Sequence, residues 1–163
     1  MKRLLLLTGL LLLLLPAGCR EKDTDKLTYE PSVYSQVVAD DTLRETLGSV
    51  VNNYLSALET HDYSLLMTCA DERLPQCNNE TAFFDYTIGL QSAQLDTIDW
   101  DTLIMDGKDY LLRVSYTLHF TDTFTDWDGT PREPCTEQHI ELLRLSAVEG
   151  VYYITEIQET GEG

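Results

Sequence analysis

The rhythm of apolar and polar positions changes twice along the chain. Leu4 to Leu15 is apolar apart from Thr8 and Gly9, and from Arg20 the chain turns polar. Over residues 41–59, Leu43, Leu47, Val50, Val51, Tyr54, Leu55 and Leu58 recur in steps of three and four. That spacing predicts a helix with one apolar stripe, capped at its start by Asp40 or Asp41. Asp62 is placed to cap a short second helix whose Leu65, Leu66 and Cys69 face inward. Residues 70–79 predict a loop. Thr81 to Leu90, carrying Phe83, Phe84 and Ile88, predicts a third helix, although its aromatic and β-branched content also suits a strand.

From residue 93 the period falls to two. "AQLDTIDWDTLIM" predicts a strand ended by Asp106-Gly107, a hairpin signal. In "DYLLRVSYTLHFTDTF", Tyr110, Leu112, Val114, Tyr116, Leu118 and Phe120 share one face, while Leu111, Arg113, Ser115, Thr117, His119 and Thr121 lie on the other. "DWDGTPREP" supplies a turn, "CTEQHIELLRLSAV" the next strand, Glu149-Gly150 another turn and "VYYITEIQE" the last strand. Helices first and an antiparallel meander after them predict an α+β fold.

The N-terminus changes the picture of where such a domain works. Lys2 and Arg3 followed by the short apolar run fit an export signal, and the run is well under the roughly 20 residues a membrane-spanning helix needs. Ala17-Gly18-Cys19 resembles a bacterial lipobox, with Pro16 in the place that leucine usually holds. The resemblance implies lipid attachment at Cys19, a membrane partner, and a bacterial cell-envelope location on the extracytoplasmic side. The expected organisation is therefore a signal peptide over 1–18, a lipid-bearing Cys19 and flexible tether over 19–39, one domain over 40–160, and a tail over 161–163. Some 20 residues of flexible chain span about 25 Å.

Asp and Glu number 28 against 11 Lys and Arg, a net charge of −17, and loss of the signal would remove Lys2 and Arg3 as well. Such a surface repels phosphates, which argues against nucleic acid as a partner and leaves membrane attachment to the lipid. After Cys19 three cysteines remain, Cys69, Cys77 and Cys135. They allow one disulfide, with Cys69–Cys77 the favoured pairing and Cys135 with either one the alternative, or three reduced thiols. None sits in a C-x-x-C spacing or next to a histidine, so neither zinc nor a catalytic thiol is expected.

The stretch "VVNNYLSALETHDYSLLMTCA" resembles the opening of nuclear transport factor 2-like domains, the cystatin-like α+β cones. Ala57-Leu58 stands at the end of the first helix and Asp62-Tyr63 at the turn into the second. The likeness extends over roughly residues 41–159. It implies a strongly curved antiparallel sheet wrapped around the N-terminal helices, with a cavity between them, in a small bacterial lipoprotein.

Such cones host enzymes, binders and scaffolds, so function has to be argued from the residues. Enzymes of the superfamily set an Asp or His base and a Tyr or acid donor inside the cone. Asp85, Tyr86, Asp101, Tyr116, His119 and His139 are the types present, with Asp85, Tyr116 and His119 the catalytic candidates. Tyr116 is expected to pack in the core with its hydroxyl at the rim, and His119 to be solvated. Asp122, Asp126, Asp128 and Glu133 surround Gly129, but in EF-hand register Phe124 and Cys135 fall on ligand places, so no metal and no cofactor is expected. Arg113 and Arg144 are expected to pair with Glu137, Glu141 or Glu156 across the sheet, or else to form an anion-binding patch. The leading expectation is a tethered domain binding a small ligand or an envelope protein. The alternatives are an exported lyase, isomerase or hydrolase working in the cone, and a homodimer packed through the sheet. The cavity lining discriminates: a wet pocket with paired acid, His and Tyr supports the enzyme, an apolar or filled one supports binding or scaffolding.

Overall fold

The computed structural model describes residues 34–160. The expected signal peptide, Cys19, the first part of the tether and the 161–163 tail lie outside the described residues. No helix among the described residues is long and apolar enough to cross a membrane.

Helix α1 (Asp41–Glu59) starts at Asp40, whose carboxylate accepts from the Leu43 amide, and buries Leu47, Val50, Val51, Tyr54, Leu55 and Leu58 along one stripe. Asp62 caps α2 (Tyr63–Cys69) in the same way, accepting from the Leu65 amide. Helix α3 (Glu80–Thr87), capped by Asn79, ends three residues earlier than the sequence predicts. The cause is Gly89, which packs so closely on the Asp122 carbonyl that its own carbonyl is taken by the Thr121 amide at 2.9 Å. Strand β2 begins at the next residue.

The sheet has five strands in the order β1 (Tyr34–Gln36), β2 (Leu90–Asp106), β3 (Asp109–Phe120), β6 (Thr136–Val148) and β7 (Val151–Glu159), each antiparallel to its neighbours. Strands β4 (Phe124–Thr125) and β5 (Pro131–Arg132) form a small separate hairpin across the acidic turn. Gly107 and Gly150 take the positive φ angles of the two tight turns, 66° and 85°. The register of β2 against β3 slips at three places, between Leu90 and Ser92, Leu95 and Thr97, and Asp99 and Ile104. Bulges of this kind bend a strand and increase its twist, which is how a 17-residue strand curves over a helix instead of running straight past it.

Strand β1 lies in the stretch expected to be tether. Tyr34–Gln36 pairs with Ile104–Asp106, the Val37 amide donates to the Leu103 carbonyl at 2.9 Å, and Ala39 is buried. Residues 34–39, expected to be tether, thus contribute to the described sheet and core. These residues cover part of the free edge of β2, where unpaired backbone groups would otherwise face water.

Alternation along β3 follows the sequence. Leu112, Val114, Tyr116, Leu118 and Phe120 are buried on the face toward α1, whereas Arg113 and His119 are exposed on the other. With Leu103, Leu143, Leu145 and Ile154 they form one core with the stripe of α1 and with Phe83 of α3. Cys69 and Cys77 are separate free thiols here, not the favoured bridge. The Cys69 thiol sits against the Leu65 and Leu66 carbonyls of its own helix, and burial pushes both thiols up to about 12.

Candidate functional site

Strand β6 has an inward face of two characters. Leu143 and Leu145 belong to the core, and the same parity carried back toward the start of the strand gives Glu141, His139 and Glu137. Where the sheet curves away from α1, these three side chains border a cavity of about 680 Å³. Tyr54 of α1, Tyr86 of α3, Tyr116 of β3 and Trp127 of the β4–β5 turn also line it.

Register sets the geometry. Tyr116 and His139 are direct cross-strand partners, and their rings stack with centroids 4.9 Å apart and planes 9° from parallel. The Tyr116 hydroxyl donates to Glu141 Oε2 at 2.8 Å, so it is buried at the cavity wall rather than at the rim. His139 Nδ1 lies 3.5 Å from Glu141 Oε1, and its Nε2 lies 3.4 Å from Glu137 Oε2. Arg132 continues the row, donating to Glu137 Oε1 at 2.8 Å and to Asp126 Oδ2 at 2.9 Å. Tyr86 stacks on Trp127 at 4.0 Å.

Two buried polar atoms on the lining lack a hydrogen-bond partner: Gln76 Oε1 and His139 Nε2. For His139 Nε2 the distance to Glu137 is short enough for charge attraction, but the direction does not make a hydrogen bond.

The electrostatics follow from burial. Desolvation, then the Glu141 charge, holds the Tyr54 hydroxyl well above its ordinary pKa. Tyr86 is raised by burial and then by Glu137, Asp126 and Glu141; Tyr116 is raised by burial and then by Tyr54 and Glu141. All three therefore remain neutral hydroxyls at any physiological pH. For His139, burial pulls the pKa down, but Glu141 and Glu137 together outweigh it and leave the ring more basic than usual.

Of the residues singled out from the sequence, the structure brings Tyr86, Tyr116, His139 and Asp126 to this cavity. Asp85 is exposed on α3, about 100° around the helix from its buried neighbour Tyr86. His119 is on the outer face of β3, with Nδ1 2.9 Å from Thr136 Oγ1. Neither can reach the cavity, because adjacent helix positions diverge and a strand turns every second side chain outward. Arg144 is half-buried and pairs with Asp106, Asp109 and Glu156, tying the β2–β3 hairpin to β7. Arg113 is exposed beside its register partner Asp99, at a smaller depression of about 260 Å³. Asp126 serves Arg132, while Asp128 accepts from the Thr130 amide of its own turn. Among the described residues no group of His, Cys, Asp and Glu is placed to hold a metal ion.

Sequence reasoning missed Glu137 and Glu141 as cavity residues and cast them as partners for surface arginines. The available signal was parity: counting back from Leu143 by twos reaches both. It was masked by Ile140 and Leu142, which make the outward face of the same strand look equally apolar.

No family model and no curated protein matches the chain. Among solved structures, an uncharacterized protein with a cystatin-like fold from Caulobacter vibrioides is similar at 15% identity and a TM-score of 0.50, covering 71% of this chain and 89% of that one. TsrD from Streptomyces laurentii is similar at 14% identity and a TM-score of 0.46, over 71% of this chain and 90% of its own. Three helices on a five-stranded antiparallel sheet, overlaid on the Caulobacter protein, make this domain a cystatin-like α+β fold.

Proposed function

We propose that the domain binds a small polar molecule in the cavity between α1 and the sheet, and that lipid at Cys19 holds it on the extracytoplasmic side of a membrane. The observation that carries the binding reading is the cavity itself: about 680 Å³, within the range of small-molecule sites, and bordered by a carboxylate that is 5% exposed, Glu141. A buried charge of this kind is costly unless it is partnered, and a core without a ligand to hold would be more stable with an apolar residue there.

The lining is polar and combines acid, His and Tyr, a combination that favours the enzyme alternative. Geometry weighs against it in one respect. A general base needs a free lone pair aimed at the substrate, whereas the Glu141 oxygens face Tyr116 and His139 and those of Glu137 face Arg132 and His139. Each of these carboxylates is committed to a neighbour through at least one oxygen, Glu141 to the Tyr116 hydroxyl and Glu137 to Arg132, which suits a fixed binding wall better than a mobile base. The second reading, an exported lyase, isomerase or hydrolase, rests on His139 Nε2, a titratable ring nitrogen without a hydrogen-bond partner, as its proton acceptor.

Native mass spectrometry of protein purified from its own envelope tests both. A co-purifying small molecule lost from the Glu141→Gln variant is the expected result. Chemical conversion of that molecule, abolished in His139→Gln, selects the enzyme; an empty cavity in wild type and variant alike refutes binding. Labelled fatty-acid incorporation that is absent in Cys19→Ser tests the anchor separately.

A further inference from the structure

We propose that the molecule taken into this cavity is a small organic cation carrying more than one N–H donor, of the amine or guanidine class. The inference rests on the binding reading and adds the charge and donor pattern of the ligand.

Charge comes first. Four carboxylates reach the lining, Asp126, Glu137, Glu141 and Glu159, against a single guanidinium, Arg132, and the His139 ring. Arg132 is already engaged by Asp126 and Glu137. The lining therefore stays negative whether or not His139 is protonated, and an anion entering it meets net repulsion in a confined space where charges interact more strongly than in water. A neutral apolar molecule fares no better, because it would strip water from these groups without replacing the lost hydrogen bonds.

Hydrogen-bonding capacity points the same way. The unpartnered Gln76 Oε1 is an acceptor and asks for a donor. Glu141 Oε1 has only the long 3.5 Å contact to His139 and can accept again. An ammonium or guanidinium supplies several N–H groups at once; a quaternary ammonium supplies charge and no donor.

The aromatic part of the lining adds no opposing charge. Tyr54, Tyr86, Tyr116 and Trp127 line the same cavity, and burial keeps the three tyrosines neutral beside the acidic groups. The protein's overall charge of −17 would also draw cations toward the opening.

Calorimetric titration of the full purified chain with agmatine, putrescine, tetramethylammonium, adipate and 1,4-butanediol tests the inference. Agmatine or putrescine should bind, while adipate, butanediol and tetramethylammonium should not. Glu141→Gln should weaken binding by about tenfold or more, and Gln76→Leu, at the cavity wall, should weaken it independently in a variant whose melting temperature matches wild type. Binding of adipate or butanediol at least as tight as that of the amines would overturn the cation assignment and leave the binding reading standing. Tetramethylammonium binding equally well would overturn the donor requirement. If no probe of any charge binds, and no molecule co-purifies, both readings fall together.

Discussion

Two glycines of this chain sit in opposite situations, and each can be read from what a methyl group would meet. Gly48 lies in the middle of α1, where a Cβ would have Trp100 and Ile98 at 3.8 and 3.9 Å, ordinary contact distances. Glycine there carries only the backbone-entropy cost of its place in a helix, so Gly48→Ala should stabilise the domain by about 1 kcal/mol. At Gly89 the same atom would stand 2.5 Å from the Asp122 carbonyl oxygen, a backbone atom that has nowhere to move. Gly89→Ala should destabilise by about 1–3 kcal/mol. Urea melts of the two variants should shift in opposite directions; a Gly89→Ala protein as stable as wild type would mean that the α3–β2 junction is looser than described.

Pairing between β3 and β6 decides what the cavity does. Because Tyr116 faces His139 across the ladder, Glu137 and Glu141 flank the imidazole from its own strand, and the ring's folded-state pKa rises above the ordinary value of about 6.5. A group with a raised folded pKa contributes stability that is fully present below its unfolded value and disappears as pH climbs through the folded one. The gap in melting temperature between wild type and His139→Gln should therefore be wide at about pH 5.5 and narrow at about pH 9. A gap that does not change with pH would mean that the ring is not held by its acidic neighbours.

The same strands show what was legible in advance. β3 was readable because one face is wholly apolar and the other carries Arg113 and His119. β6 was not, since both of its faces hold leucines and the inward one turns from apolar to acidic partway along. Helix α1 declared itself through its stripe and its Asp40 cap. Strand β1 could not, because three residues carry no period and owe their conformation to the free edge of β2. A cavity wall assembled from two helices, four strands and the loops between them leaves no spacing in the sequence to find. Only the parity of β6 pointed toward it.

At the scale of the whole molecule, 28 acidic groups on a chain of 163 residues repel one another, and Arg144 and Arg132 neutralise only their immediate surroundings. Screening by salt should relieve that repulsion, since the Debye length falls to about 8 Å at physiological ionic strength. Melting temperature should rise with added sodium chloride from near zero to about 0.15 M. A flat or falling curve would place the acids in favourable pairs instead. Amine binding should weaken over the same range, so the two effects of salt run in opposite directions.

Tyr34 enters the sheet opposite Asp106, beside the first tight turn, whereas the cavity lies toward the far end of β3 and β6, where His119 meets Thr136. Nine residues of strand separate Tyr110 from His119, about 30 Å at the usual rise. Whatever holds the chain before Tyr34 therefore pulls on the end of the sheet that lies away from the cavity, so the entry of the chain and the side chains that would touch a ligand do not compete for the same surface.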